Sequence, residues 1–317
     1  MARKRTILDC YTDEPAGLGV PPFLGVWPRY VAGRYRDEPA YLSIDDVRLA
    51  NWKGRIRAAT VDPPTGKTRI DLLNTTGTVE QTAEVLKQSD QLIVILGVQT
   101  PGKYLSAVPG TPAEVTKLLR RFKFRKVLAG PVVSCGTQLR GGARAEQADG
   151  TSFDELRDVD FDSYEELQPI ALKGARILGQ LPAKANRVVE IETGRGCPRL
   201  EGCSFCTEPV KNPLQWRNAP EIIEEVDSFM QLGAQAFRLG KQSCIFSYEG
   251  GDIGKLEQML SGLAGLRPEV LHIDNVNPCM VNEERTKLFV KYLTPGSTAA
   301  MGIESFDPKV ARLNNLN

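Results

Sequence analysis

Residues 187 to 209 read RVVEIETGRGCPRLEGCSFCTEP, a short strand-like run that passes directly into three cysteines, Cys197, Cys203 and Cys206. "RVVEIETG" has the length and apolar content of a β-strand. The loop after it wraps its thiols in Gly, Arg and Pro. Three thiolates in a C-x5-C-x2-C arrangement can hold zinc or an iron–sulfur cluster, or can simply be buried thiols. Structural zinc requires four closed ligands, and the fourth would have to be His272, Cys244 or Cys279. All are distant in sequence, in or just after a strand rather than on a paired knuckle. A [4Fe–4S] cluster on three cysteines leaves one iron open to a substrate or cofactor, and ligand count and placement favour it over zinc.

Downstream, strand and helix alternate. "PEIIEEVDSFMQLG" (220–233) places Ile222, Ile223, Val226, Phe229 and Met230 on one helical face, with Pro220 near its start and Gly233 beyond its end. "AQAFRLG" reads as the next strand and "DIGKLEQMLSGLAGL" as the next helix. "VLHIDNVNP" is a third strand, followed by "NEERTKLFVKYL", a helix capped by Asn282, and "TAAMGIES" is expected as a fourth strand before a helix begun at Asp307-Pro308. Successive strand–helix units of this kind predict part of a β/α barrel, whose active site lies in the loops at the C-terminal ends of the strands. The cysteines follow the first strand at that end.

Upstream, "TILDCY" (6–11) reads as a buried strand. "TVEQTAEVLKQSD" (78–90) is a helix capped by Thr78, and "QLIVILGVQ" (91–99) a strand buried on both faces. "TPAEVTKLLRRF" (111–122) begins with Thr111 as cap, Pro112 at the first helical position and Glu114 three residues after the cap. "KVLAGPVVSCG" is expected to continue as another buried strand. The alternation predicts a doubly wound α/β domain. Residues 139–186 are polar, acidic and rich in turn formers, and are expected to be a linker. The fold class is therefore α/β: an N-terminal Rossmann-like parallel-sheet domain (1–138), the linker (139–186), and an incomplete, partial TIM-type barrel (187–317).

Lys and Arg number 40 against 39 Asp and Glu, a net charge of +1, so no global field draws the chain to nucleic acid or an anionic membrane. The start, "MARKRTILDC", is basic but lacks an apolar stretch of signal-sequence length, and no run long enough to span a membrane follows. A cytoplasmic location is expected. The 7 cysteines then read as reduced thiols or metal ligands rather than a disulfide framework.

Three cysteines after the first strand of a β/α barrel, with Phe205 immediately before the last, resemble the cluster motif of the radical S-adenosylmethionine superfamily. The common form there is C-x3-C-x2-C, so this loop carries two extra residues. "MGIESFDPKVARLNN" resembles the superfamily's segment near the ribose of the nucleoside. The resemblance implies that Cys197, Cys203 and Cys206 ligate three irons while S-adenosylmethionine chelates the fourth. It further implies that Phe205 lies against the adenine and that Glu304 and Ser305 bond the ribose or the methionyl part. Arg238, Gly240 and Gln242 would occupy the region that receives the cofactor's amino group. The implied reaction is reductive cleavage of S-adenosylmethionine to a 5′-deoxyadenosyl radical that abstracts hydrogen from a substrate, with electrons from a donor such as ferredoxin or flavodoxin.

A Rossmann-like unit ahead of such a barrel resembles the cobalamin-binding arrangement of many of these enzymes. "ILDCYTDEPAGLGVPPFLGVWPRYVAGRYR" is similar to the opening of an archaeal-type group whose full-length members carry a C-terminal helix-hairpin-helix, through which nucleic acid could be met. That module is not seen before Asn317, so the chain reads as truncated. The cobalamin signature D-x-H-x-x-G is also missing. The only histidine is His272, so cobalamin could bind only without histidine ligation, with residues 13–22 as the expected contact loop. A cobalamin-dependent methyltransferase remains an alternative. So does an RNA methylthiotransferase, whose second cluster would need three more cysteines where only Cys10 and Cys135 stand. A zinc-stabilised nucleic-acid-binding module is the non-enzyme rival.

Each residue has a plainer role available to it. Phe205 would be core, Glu304 a solvated strand end, Ser305 a turn or cap residue, and His272 a hydrogen-bonded barrel residue. Cys244 and Cys279 would be small buried side chains. The basic "RRFKFRK" (120–126) suits a helix C-terminus as well as a phosphate.

Overall fold

The computed structural model describes residues 4–11, 24–51, 76, 78–97, 109–136, 150–181, 188–206 and 208–316. The chain divides into two compact units, residues 1–139 with 145–187, and residues 140–144 with 188–317.

In the first unit, β1 (Arg5–Asp9), α1 (Val26–Gly33), β2 (Ala40–Ser43), α2 (Ile44–Asn51), α3 (Val79–Gln88), β3 (Gln91–Ile95), α4 (Pro112–Leu119), β4 (Arg125–Ala129), α5 (Pro131–Cys135), β5 (Glu155–Leu156) and α6 (Tyr164–Gly174) follow one another. The five strands form one parallel sheet in the order β2-β1-β3-β4-β5. This is a doubly wound order whose direction of winding reverses between β1 and β3, where such sheets receive ligands. Every residue of β3 is buried, as its continuous apolar run requires. The Thr78 and Thr111 hydroxyls accept hydrogen bonds from the Gln81 and Glu114 amides, so both helix starts are capped as expected. The Glu114 carboxylate forms a two-toothed pair with Arg48, both bonds 2.8 Å.

Two expectations are corrected here. The run "KVLAGPVVSCG" is not one strand: β4 ends at Ala129, Gly130 turns with φ 89°, and Pro131 starts α5, where its missing N–H costs nothing. Nor is all of 139–186 a linker. Residues 150–181 belong to the first unit: β5 extends the sheet beside β4, and α6, capped by Ser163, packs on α1. That helix crossing brings backbones into contact, since a Cβ on Gly33 would collide with the carbonyl of Ile170 and one on Gly174 with that of Arg29. Around it, the Arg34 and Arg176 guanidiniums bond the Val159 and Tyr35 carbonyls, each at 2.8 Å.

The second unit continues with β6 (Val188–Glu192), β7 (Gly194–Arg195), α7 (Glu208–Lys211), β8 (Gln215–Trp216), α8 (Ala219–Gln231), β9 (Ala236–Gly240), α9 (Ile253–Gly265), β10 (Val270–Ile273), α10 (Glu283–Tyr292) and α11 (Pro308–Leu313). β6, β9 and β10 form a parallel sheet in the order β10-β9-β6, and β7 pairs antiparallel with β8. The expected fourth strand is absent among the described residues. Ala300 makes a single parallel bridge with Asn275, after which Met301 and Ile303 are exposed and Glu304 turns the chain with φ 61°. Without a neighbouring strand to take up their backbone groups, the residues of "TAAMGIES" beyond Ala300 gain nothing from an extended ladder.

Candidate functional site

The register of the second sheet sorts its side chains into two faces. Val189, Phe237 and Leu271 stand abreast, as do Ile191, Leu239 and Ile273, and all six are buried on one face of the sheet. The alternate row is polar: Glu190, Arg238 and His272 stand abreast, with Glu192 beside Gly240 one step further on. A buried parallel strand is ordinarily apolar on both faces. Here one face carries charge, and the charges are matched. Arg238 Nη2 lies 2.6 Å from Asp274 Oδ2 and 3.4 Å from Glu190 Oε1, and Arg195 Nε lies 3.0 Å from Glu192 Oε1. Glycine at 240 suits this row, because a Cβ there would come 2.7 Å from Glu190 Oε1 and push that buried carboxylate aside.

At the C-terminal end of β6 the short β7–β8 ladder closes the base of the cysteine loop, and all three cysteines fall within the excursion between those two strands. Gly196 opens it with φ 80°, against the Pro213 carbonyl, where a Cβ would sit 2.6 Å from the oxygen. The Glu208 carboxylate then ties the loop to itself, accepting from the Gly196 amide (3.1 Å) and the Asn212 side chain (2.8 Å). Ser243, beyond β9, donates to the Gly196 carbonyl at 3.0 Å.

The three thiols are half-buried and unbridged. Cys206 Sγ accepts from the Glu208 amide at 3.4 Å, and Cys203 Sγ from Arg199 Nη1 at 3.0 Å. Burial pushes the Cys206 thiol up, with the charges of Glu208, Cys203 and Cys197 adding to it and the Glu208 amide opposing. The group therefore favours the protonated form until a cation displaces its proton. Among the described residues no three His, Cys, Asp or Glu side chains gather as ligands of a single metal ion would. The zinc candidates are engaged elsewhere: Cys244 Sγ accepts from the Asn277 amide, Cys279 Sγ donates to Asn277 Oδ1, and His272 Nδ1 meets Ser297 Oγ at 3.1 Å.

Beside this loop, just past β9, Gln242 is 2% exposed, and among the described residues neither atom of its side-chain amide has a hydrogen-bond partner. A buried amide left without partners costs stability and suits a polar ligand that supplies them. Phe205 is 42% exposed. Glu304 is exposed, and the Ser305 hydroxyl accepts from the Asp307 amide at 3.1 Å, a turn role before α11; among the described residues neither bonds to the cysteine loop. Residues 13–22, the expected cobalamin contact, lie outside the described residues, as does the side chain of Cys135. Cys10 is buried in the apolar core of the first unit, and burial pushes its thiol well above the ordinary range. Sequence reasoning passed over Arg199, Glu208, and the carboxylates of Glu190 and Asp274 that pair with Arg238. The alternating carboxylates of "VVEIE" were the available signal for Glu190.

No family model matches the chain. It is similar to an uncharacterized protein of Methanocaldococcus jannaschii, 35% identical over 362 residues covering 100% of this chain and 61% of that protein. An uncharacterized protein of Archaeoglobus fulgidus is 32% identical over 339 residues, covering 99% and 57%. The chain thus spans about three fifths of the length of these relatives. Among solved structures it is similar to the radical S-adenosylmethionine methyltransferase TsrM from Kitasatospora setae, with tryptophan and a cofactor analog bound, at TM-score 0.56 and 12% identity over 100% of this chain and 62% of that one. The same enzyme with cobalamin and a [4Fe-4S] cluster gives 0.55 and 13%, over 100% of this chain and 61% of that one. The cobalamin-dependent S-adenosylmethionine radical enzyme OxsB gives 0.54 and 11%, over 98% of this chain and 45% of that one. At such identities the likeness is one of fold, and the chain has the α/β fold of these radical S-adenosylmethionine enzymes, a Rossmann-like sheet followed by β/α units of a barrel.

Proposed function

We propose that the chain is part of a radical S-adenosylmethionine enzyme in which Cys197, Cys203 and Cys206 hold a [4Fe–4S] cluster. The observation that carries this reading is the closed cysteine loop at the C-terminal end of β6, beside the buried and unsatisfied amide of Gln242. When bound, such a cluster supplies the electron that cleaves S-adenosylmethionine into methionine and a 5′-deoxyadenosyl radical, which abstracts hydrogen from a substrate; the electron comes from a donor such as ferredoxin or flavodoxin. The protein's own residues hold and orient. Glu208 fixes the loop's two ends, Gln242 offers a donor and an acceptor to the polar part of the cofactor, and Gly240 leaves room for Glu190. The ion pairs of Arg238 with Glu190 and Asp274 keep a polar wall rigid. Phe205, half-exposed in the same loop, offers an apolar surface for an adenine, and Glu304 and Ser305 are proposed as ribose contacts in the loaded protein.

Anaerobic reconstitution tests it. Iron and sulfide should be taken up at about four each per chain, and S-adenosylmethionine should change the electron paramagnetic resonance signal of the reduced protein. Stoichiometric zinc with no iron uptake would overturn the proposal in favour of a nucleic-acid-binding module.

A second reading, cobalamin-dependent methyl transfer, is favoured by the β2-β1-β3-β4-β5 order and by the cobalamin that TsrM and OxsB bind. Because the single histidine lies on β10 of the second unit, cobalamin held by the first sheet would carry no histidine nitrogen from it. Titration with hydroxocobalamin under visible and magnetic-resonance spectroscopy reads this directly: no uptake would count against the reading, and a protein histidine on cobalt would refute binding without histidine ligation.

A further inference from the structure

The two residues that lengthen the cysteine loop lie between Cys197 and Cys203, in the segment that contains Arg199. Its guanidinium is held at both ends. Nη1 donates to Cys203 Sγ at 3.0 Å, and Nη2 donates to the carbonyl of Asn315, just past α11. The neighbouring Ser204 repeats the attachment, its amide donating to the Asn314 carbonyl at 3.0 Å and its hydroxyl meeting Asn314 Oδ1 at 2.7 Å. Three contacts thus pin the loop to the end of α11, and the fourth turns the guanidinium's other arm onto the sulfur. A neutral thiol is a weak acceptor, whereas an anionic sulfur forms a charge-assisted bond with a guanidinium. The donors are also uneven. Cys206 receives a backbone amide at 3.4 Å, Cys203 a full cation at 3.0 Å, and among the described residues Cys197 receives neither.

Resting on the cluster reading above, we propose that Arg199 is a positioning and tuning residue: its bond to Cys203 stabilises the reduced, more negative cluster and raises its reduction potential, and the extra loop length exists to carry it. Hydrogen bonds to sulfur are among the factors that set the potentials of iron–sulfur clusters. One-electron reduction adds a negative charge to the cluster, so a fixed cation on one of its sulfurs favours the reduced form.

The experiment is an anaerobic redox titration of the reconstituted chain, monitored by electron paramagnetic resonance, for wild type, Arg199→Gln, Arg199→Lys and Ser204→Ala. Arg199→Gln should keep its iron and sulfide and shift the midpoint to more negative potential, with Arg199→Lys in between. Ser204→Ala, which loosens the same attachment without touching Cys203, should leave the midpoint unmoved. An unchanged midpoint in Arg199→Gln overturns the proposal, as does an equal shift in Ser204→Ala, which would assign the effect to loop position. Where the glutamine variant fails to assemble, wild-type protein with ¹⁵N-guanidino arginine decides: a hyperfine coupling to that nitrogen supports the proposal, and its absence overturns it. Failure of wild type itself to take up iron would sink the cluster reading and is distinguishable from all of these outcomes.

Discussion

Arg217 and Glu225 form an ion pair in which neither side chain has any exposure to solvent. Arg217 also donates toward the Glu192 carbonyl, and its own carbonyl accepts from the Tyr248 hydroxyl, so the pair ties the start of α8 to the end of β6. Removing Glu225 takes the close carboxylate from a fully buried guanidinium and leaves it the more distant Glu221, whose Oε2 lies 3.9 Å from Nε. Glu225→Ala should cost about 3–5 kcal/mol, measured as a lowered denaturation midpoint. Arg217→Met combined with Glu225→Leu should recover part of that loss, and a double variant no better than the single one would count against desolvation as the cause.

The close approach of Gly240 to Glu190 predicts an unusual sign for a glycine-to-alanine change. Gly240→Ala must displace a buried carboxylate that faces Arg238, at a cost of about 1–3 kcal/mol. Gly265→Ala, at the end of α9 with open space around its Cβ position, should be neutral or stabilising by up to about 1 kcal/mol. Paired thermal melts read both.

Metal uptake should separate the cysteines. Cys197→Ala, Cys203→Ala and Cys206→Ala should each abolish iron binding, whereas Cys10→Ala should retain it and lose only about 1 kcal/mol of core packing. Iron and sulfide per chain after anaerobic reconstitution is the measurement. An essential Cys10 would instead favour a second cluster and the methylthiotransferase alternative.

His272 is held below its ordinary value of 6.5, first by burial and then by the nearby Arg238 cation, with Asp274 pulling the other way. Because the unfolded chain takes up the proton first, the neutral imidazole costs no stability above pH 6.5. The protein should lose stability as pH falls through 6.5, until the folded ring also titrates. Being the single histidine, it gives one assignable imidazole resonance, whose midpoint should lie below 6.5. His272→Asn should flatten the stability profile across that window.

The elements with strong periodicity and ordinary caps were legible in the sequence: β3, α3 and α4 in the first unit, α8, α9 and α10 in the second. Those that escaped did so for identifiable reasons. Every residue of α1 is buried, so it shows no polar face, and it carries Pro28 within and Gly33 at its end. The segment holding α6 looked like a linker because residues 139–163 scatter acidic side chains and turn formers among their apolar ones. The buried face of α6 runs Tyr164, Leu167, Ala171 and Gly174, and narrows to small residues where it crosses α1, which shortens the hydrophobic stripe. "TAAMGIES" has a strand's composition and lacks a partner along most of its length. In the site, the cysteines were visible as a spacing. Arg199 and Glu208 were not, because their roles depend on where a loop folds back on itself.

The crossing of α1 and α6 also bears on how the protein is made. The bonds that secure it, Arg34 to Val159 and Arg176 to Tyr35, join positions 125 and 141 residues apart. During synthesis α1 emerges and then waits on the order of ten seconds for its partner helix. Through that interval a helix with no polar side of its own is left without the surface that buries it, which makes the nascent first unit a natural client for a chaperone until residue 181 has left the ribosome.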